Sequence, residues 1–207
     1  MDFLRPVQAV IPGAQGRILS VLAETSAELN LRAVARLSGV SLAHASRVMP
    51  VLVELGVVER REAPPSALFR FVPENVASRA ITALARTRQA VLEEMGSTAA
   101  HLEPPPANVV VFGSLARGEA DAESDIDVLV LRPTGLDEDD PAWRRSLDGW
   151  REHISRLAGN RVELLEISEQ SVPALLRSRK PLWADIQRDA VVVFGPPLIT
   201  AKGRRGA

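Results

Sequence analysis

The stretch VVVFGSLARGEADAESDIDVLVL spans residues 109–131: an apolar run breaks at Gly113-Ser114 and, ten residues later, Asp125 and Asp127 open a second apolar run. Carboxylates are seldom buried without a partner, so two of them at the mouth of a buried strand ask for a cation or a proton. Side chains at i and i+2 of a strand point the same way, with Cα atoms about 6.5–7 Å apart, so this pair can converge on shared cations. Glycine at 113 lets the backbone approach a phosphate closely, and Ser114 begins a short helix whose free N–H groups attract anions. Two magnesium ions roughly 3.5–4 Å apart would fit between such carboxylates and triphosphate oxygens.

Other chemistries fit the stretch less well. GSLARG has the glycine spacing of a phosphate-binding P-loop, but Glu119 and Ala120 stand where that loop needs Lys and Ser or Thr. A calcium loop starting at Asp121 would have Ile126 at its glycine position and Arg132 at its closing glutamate. A glycosidase pair is not excluded by chemistry alone, although two acids on one strand do not easily flank a sugar ring from opposite faces. Asp137–Asp140, an acidic DEDD run, reads as a solvated loop without a role.

The elements that must position these residues alternate from residue 107 onward. Strands are expected in ANVVVF, IDVLVL, RVELLEI and AVVVF, with short helices at SLARG, SVPALLRS and PLWADIQRD. Between the second and third strands, Trp143, Leu147, Trp150, Ile154 and Leu157 mark one face of a longer helix. Strands this rich in Val and Leu suit a sheet covered by helices. Residues 74–103 read as one long helix with a stripe of Ile81, Leu84, Arg88, Val91, Met95 and Leu102, ended by Pro104–Pro106. The tail AKGRRGA is expected to be disordered.

Composition narrows the class without deciding it. The 207 residues are 46% hydrophobic and 25% charged, an ordinary globular mix. There is no cysteine, so disulfides and thiolate metal sites are excluded, and His44, His101 and His153 are too scattered for a zinc motif. No apolar run approaches the roughly 20 residues that span a bilayer, and the N-terminal residues lack a leader pattern, so no membrane association and a cytoplasmic location are expected. Residues 1–75 hold eight Arg against seven acids, so charge alone does not announce a nucleic-acid binder.

Residues 16–38 read as two helices, the second with Asn30 as N-cap and Gly39 as its stop, and Ser41 can cap a third that ends at Gly56. Two short strands, VVERR and LFRFV, follow around the polar loop EAPPSA. Over about residues 14–73, on LRAVARLSGVSLAHASRVMPVLVELGVVERR, the chain resembles the winged helix-turn-helix family. The resemblance implies double-stranded DNA binding by a homodimer. The third helix would lie in the major groove with Ser41, His44, Ala45 and Arg47 towards DNA, and Arg60, Arg61 and Arg70 would reach backbone phosphates. Pro50, inside that helix, is expected to shorten or bend it.

Over about residues 76–195, on VFGS, ten residues and DID, the chain resembles the DNA polymerase beta-type nucleotidyltransferases, and the wording GSLARGEADAESDIDVLV is most similar to the minimal nucleotidyltransferases. The expected fold is thus α+β overall: a winged helix-turn-helix at 1–73, a connecting helix and Pro-rich linker at 74–106, and an α/β nucleotidyltransferase domain with a mixed sheet at 107–207. The resemblance implies an NTP substrate, ATP first among them, with Mg²⁺ or Mn²⁺, and a hydroxyl acceptor on protein, RNA or a small molecule. It assigns Gly113 and Ser114 to the phosphates and Asp125 and Asp127 to both metals. Glu163, where the family more often has Asp, becomes a third metal ligand that activates the acceptor, and Arg117 a phosphate clamp. Glu166 would face the other side of its strand and stay structural. A second reading keeps the nucleotide but not the turnover, making the chain a nucleotide-responsive transcriptional regulator.

Overall fold

The computed structural model of the protein describes residues 1–178 and 180–198, and the tail expected to be disordered lies outside them. The chain divides into two units, Arg5–Thr87 and a second made of Met1–Leu4 with Arg88 onward.

The first unit runs α1 (Pro6–Val10), α2 (Gly13–Ala23), β1 (Leu29–Asn30), α3 (Leu31–Ser38), α4 (Leu42–Glu54), β2 (Val58–Ala63), β3 (Ser66–Phe71) and α5 (Val76–Ala85). Local chemistry sets its boundaries. The Asn30 side chain accepts from the Ala33 N–H at 2.8 Å to start α3, and Gly39 ends it at φ 63°. The Ser41 hydroxyl accepts from the His44 N–H at 3.2 Å to start α4. β2 and β3 form the expected hairpin, and β1 adds to β3 on its other side, all antiparallel. Ile18, Leu22, Val34, Met49 and Leu52 are sealed from solvent in the core between the helices and the hairpin. Each such side chain contributes roughly 1.5–3 kcal/mol of apolar burial. Pro50 does not shorten α4, which continues to Glu54; the proline is on the exposed side, where water can take the carbonyl its missing N–H leaves open.

The single helix expected over 74–103 is two. α5 ends at Ala85, with Arg86 as its cap, and the Thr87 hydroxyl donates to the Leu84 carbonyl at 3.1 Å, taking the place of the next helical amide. Ile81 and Leu84 therefore pack in the first unit, while Val91, Met95 and Leu102 pack in the second.

The second unit contains α6 (Thr87–Ala99), β4 (Asn108–Phe112), α7 (Gly113–Arg117), β5 (Ile126–Arg132), α8 (Pro141–Ala158), β6 (Val162–Ser168), α9 (Val172–Leu176), α10 (Pro181–Asp189) and β7 (Val191–Phe194). Its sheet has the order β6-β5-β4-β7, with β5 and β6 parallel and the other pairs antiparallel, the mixed sheet expected. The parallel pair needs a long crossover, which α8 supplies. Asp140, the last residue of the DEDD run, caps α8 by accepting from the Ala142 and Trp143 N–H groups.

Residues alternate across the sheet. Val109, Val111, Ile126, Val128 and Val130 face a core with Met95, Trp143, Trp150 and Ile154, while Val110, Leu129 and Leu131 face Trp183 and Ile186. On α8 the buried stripe closes at Ala158, not at Leu157, which is 47% exposed because it lies at the stripe's edge. Odd-numbered positions of β5 thus share the α10 side of the sheet, and Asp127 is the first of them.

Candidate active site

Asp127 is opposite Phe112 in the β4–β5 ladder, so its carboxylate meets the turn that leaves β4. Gly113, at φ +68°, passes so close that a β-carbon there would stand 2.1 Å from Asp127 Oδ2. The conformation favours glycine at 113, and a side chain there would have to displace the Asp127 carboxylate. Asp125 is exposed just before β5, and Asp127 is half-buried. The parallel register sets Glu163 beside Asp127 on the same sheet face. Burial, then the negative charges of Asp125 and Glu163, raise the Asp127 carboxyl above its ordinary value, while Arg117 acts in the opposite direction.

Gly113, Asp125, Asp127, Glu163 and Arg117 are therefore brought to one end of the sheet. The three carboxylates are not equivalent. Glu163 is ion-paired with Arg161, whereas Asp127 has no hydrogen-bond or ion-pair partner among the described residues. Among those residues no three acidic or histidine side chains are gathered to hold a metal ion. The two aspartates do fit a cation by the chemistry of the donor set: like charges crowd a partly buried carboxylate that accepts no hydrogen bond from the described residues.

The turn opposite the acids is α7. Ser114 is half-buried at its start, and Arg117 at its end pairs with Glu119 at 2.7 Å and lies 4.0 Å from Asp189. Glu119 raises the Arg117 pKa, and Arg188 lowers that of Asp189. Two residues that hold this region were not singled out as site residues by sequence. Arg88 donates to the Leu115 and Ala116 carbonyls of α7. Asn160, buried after α8, donates to the Asp121 and Ser124 carbonyls and so fixes the loop that leads into Asp125. Within that loop the Ser124 hydroxyl donates to Asp121 Oδ1 at 2.8 Å. Glu166 is on the opposite face, as expected, where it accepts from Trp143 Nε1 at 3.0 Å and pairs with Arg132 at 2.9 Å.

Residues 92–183 match the family described as "Nucleotidyltransferase domain", and residues 16–62 match the "IclR helix-turn-helix domain". The chain carries a nucleotidyltransferase domain and a helix-turn-helix domain. No curated protein matches it. It is similar to the solved structure of a toxin-antitoxin with AMP-PNP, at 19% identity and TM-score 0.34 over 50% of this chain and 73% of that one. It is also similar to TrmBL2, an archaeal chromatin protein, at 15% identity and TM-score 0.31 over 84% of this chain and 72% of that one.

In the helix-turn-helix domain, α4 follows the turn Ser38-Gly39-Val40-Ser41. Ser41 is engaged as its cap, and its hydroxyl also meets His44 Nδ1 at 2.9 Å. His44 and Arg47 are exposed, but Ala45 is fully buried and does not face outward: with Met49 and Leu52 it forms the core stripe of α4. The hairpin arginines are tied to acids of the same domain, Arg60 to Glu62 at 2.7 Å, Arg61 to Glu28 at 2.5 Å and Arg70 to Glu59 at 2.8 Å.

Proposed function

We propose that the protein is a metal-dependent nucleotidyltransferase that moves a nucleoside monophosphate from an NTP, ATP first among them, to a hydroxyl acceptor, with pyrophosphate leaving. The observation that carries this reading is the Asp127 carboxylate: packed against Gly113, crowded by Asp125 and Glu163, and faced by Arg117. Asp125 and Asp127 would hold Mg²⁺ or Mn²⁺, with Glu163 as a third ligand after release from Arg161. When bound, such an ion neutralises triphosphate charge and polarises the phosphorus under attack.

The chain's own residues supply the rest. Gly113 leaves room at the turn for a phosphate, and the amides at Gly113 and Ser114 point donors at it. Arg117 supplies positive charge on the side opposite the acids. Glu163, half-buried on the edge strand β6, would accept the proton of an acceptor hydroxyl. The helix-turn-helix domain would bind double-stranded DNA as a dimer, with His44 and Arg47 on the exposed side of α4.

A second reading has a specific observation behind it. The Arg161–Glu163 pair occupies the third carboxylate, which suits a domain that binds nucleotide without turnover and reports it to the DNA-binding unit. Incubating purified protein with each labelled NTP, Mg²⁺ or Mn²⁺ and cell lysate separates the two. Label transferred by the parent and lost in Asp127→Asn supports the enzyme. Tight ATP binding with nothing labelled supports the sensor.

A further inference from the structure

We infer that Arg88 is the positioning residue for the nucleotide phosphates, acting through the turn Gly113–Gly118; this rests on the nucleotide-binding reading above. α7 is five residues long, too short to hold itself, because a single helical turn fixes many dihedrals for very few hydrogen bonds. Its end carbonyls are the weak point. Ser114 O accepts from the Glu119 N–H at 2.9 Å and Leu115 O from the Gly118 N–H at 3.1 Å. Among the described residues no backbone N–H donates to Ala116 O, although Ala116 is 8% exposed and Leu115 fully buried. Carbonyls this sheltered need donors from the protein.

Arg88, half-buried in the first turn of α6, supplies them. Its Nε donates to Leu115 O at 2.7 Å and its Nη2 to Ala116 O at 2.5 Å, a two-pronged grip that a planar guanidinium makes and a single ammonium does not. Gly118, at φ +76°, completes the turn directly over the guanidinium, with Arg88 Nε 3.8 Å from where its β-carbon would be. Arg88 therefore fixes three things at once: the amides at Gly113 and Ser114, the contact of Gly113 with Asp127, and the point from which Arg117 departs. None of these groups is Arg88's own neighbour in sequence, and Arg88 touches neither acid. It acts on the phosphates by holding the backbone that meets them.

The test measures ATP and AMP binding by calorimetry with Mg²⁺, together with thermal unfolding, for the full chain and for Arg88→Ala, Arg88→Lys and Arg86→Ala. Loss of two charge-assisted hydrogen bonds to the loop should weaken ATP binding about tenfold to a hundredfold in Arg88→Ala. The preference for ATP over AMP should shrink with it, because the grip serves the phosphates. Arg88→Lys should recover part of the loss, and Arg86→Ala, at an exposed neighbour, should match the parent. An Arg88→Ala protein with parent ATP affinity overturns the inference and leaves the nucleotide reading intact. So does one in which ATP and AMP affinity and thermal stability fall together with no rescue by lysine, since that is a purely structural role. A parent protein that binds no ATP overturns the nucleotide reading itself, and the inference with it.

Discussion

A β-carbon at Gly113 would stand 2.1 Å from Asp127 Oδ2, so any other residue at 113 has to push that carboxylate aside. A turn at φ +68° and a carboxylate at its side have been built as one unit, and each limits what the other position can tolerate. Substituting Gly113→Ala should cost about 1–2 kcal/mol for the left-handed conformation, before any displacement of Asp127 is counted. Urea unfolding should report that loss, and ATP binding should fall further than stability does.

The raised Asp127 carboxyl has a pH consequence. Because the folded state holds this proton more tightly than the unfolded chain, the ionised carboxylate opposes folding, and stability falls as pH rises from about 4 through the raised value. Without added metal, Asp127→Asn should therefore be more stable than the parent at neutral pH, with the difference vanishing in acid. Added Mg²⁺ should stabilise the parent and not the variant. Melting curves between pH 3 and 8 check both signs.

For catalysis, Asp125→Asn is the cleaner probe, because Asp125 is exposed ahead of β5 and contributes little to packing. Loss of one such electrostatic contact costs on the order of 10²–10³ in rate, and transfer of label should fall at least that far with thermal stability nearly unchanged.

Arg161→Ala should release Glu163. The pair is well exposed, so its loss should change stability by no more than about 1 kcal/mol. If Glu163 then turns to the aspartates, the Mg²⁺ concentration that stabilises the protein should drop, and the double variant with Glu163→Gln should erase the gain. An unchanged Mg²⁺ midpoint would count against Glu163 as third ligand.

On the helix-turn-helix domain, the ion pairs rank the arginines. Among the described residues no acid is bound to Arg47, whereas Arg61 is held by Glu28. Arg47→Ala should weaken DNA binding and lower the magnitude of the salt slope by about one. Glu28→Gln should free Arg61 and strengthen binding, most visibly at low salt. Gel shifts across a salt series distinguish these outcomes.

Much of this was legible because its signals are local. Asn30, Gly39 and Ser41 announce helix ends through their own backbone chemistry, and the alternation along β5 announces which face of the sheet Asp127 takes. Ala45 was misplaced towards DNA, because its place early in the helix was weighed above its spacing with Met49 and Leu52, which marks a buried stripe. Arg88, Asn160 and the Glu28–Arg61 pair were not legible, because their partners lie far along the chain, Arg61 binding Glu28 across 33 positions and Arg88 binding Leu115 across 27. Glu163's partner is two residues away, yet which carboxylate an exposed arginine takes is decided by side-chain geometry that spacing does not encode. The break at Arg86 was hidden because apolar spacing continues through it while the buried faces belong to different cores.

The parallel pairing of β5 with β6 also says when the site can exist. Asp127 takes its place as soon as β5 forms, with Asp125 just ahead of it, but Glu163 reaches Asp127 only after the 29 residues between Arg132 and Val162, α8 among them, have folded back over the sheet. β7 then closes on β4 across a still longer stretch, from Val109 to Phe194. Distant pairings are paid for in loop-closure entropy before they are rewarded, so they form late. During refolding the half-made domain would carry its two aspartates on an open strand edge for a time, and competence for nucleotide should appear in the last kinetic phase, after most helical signal has returned.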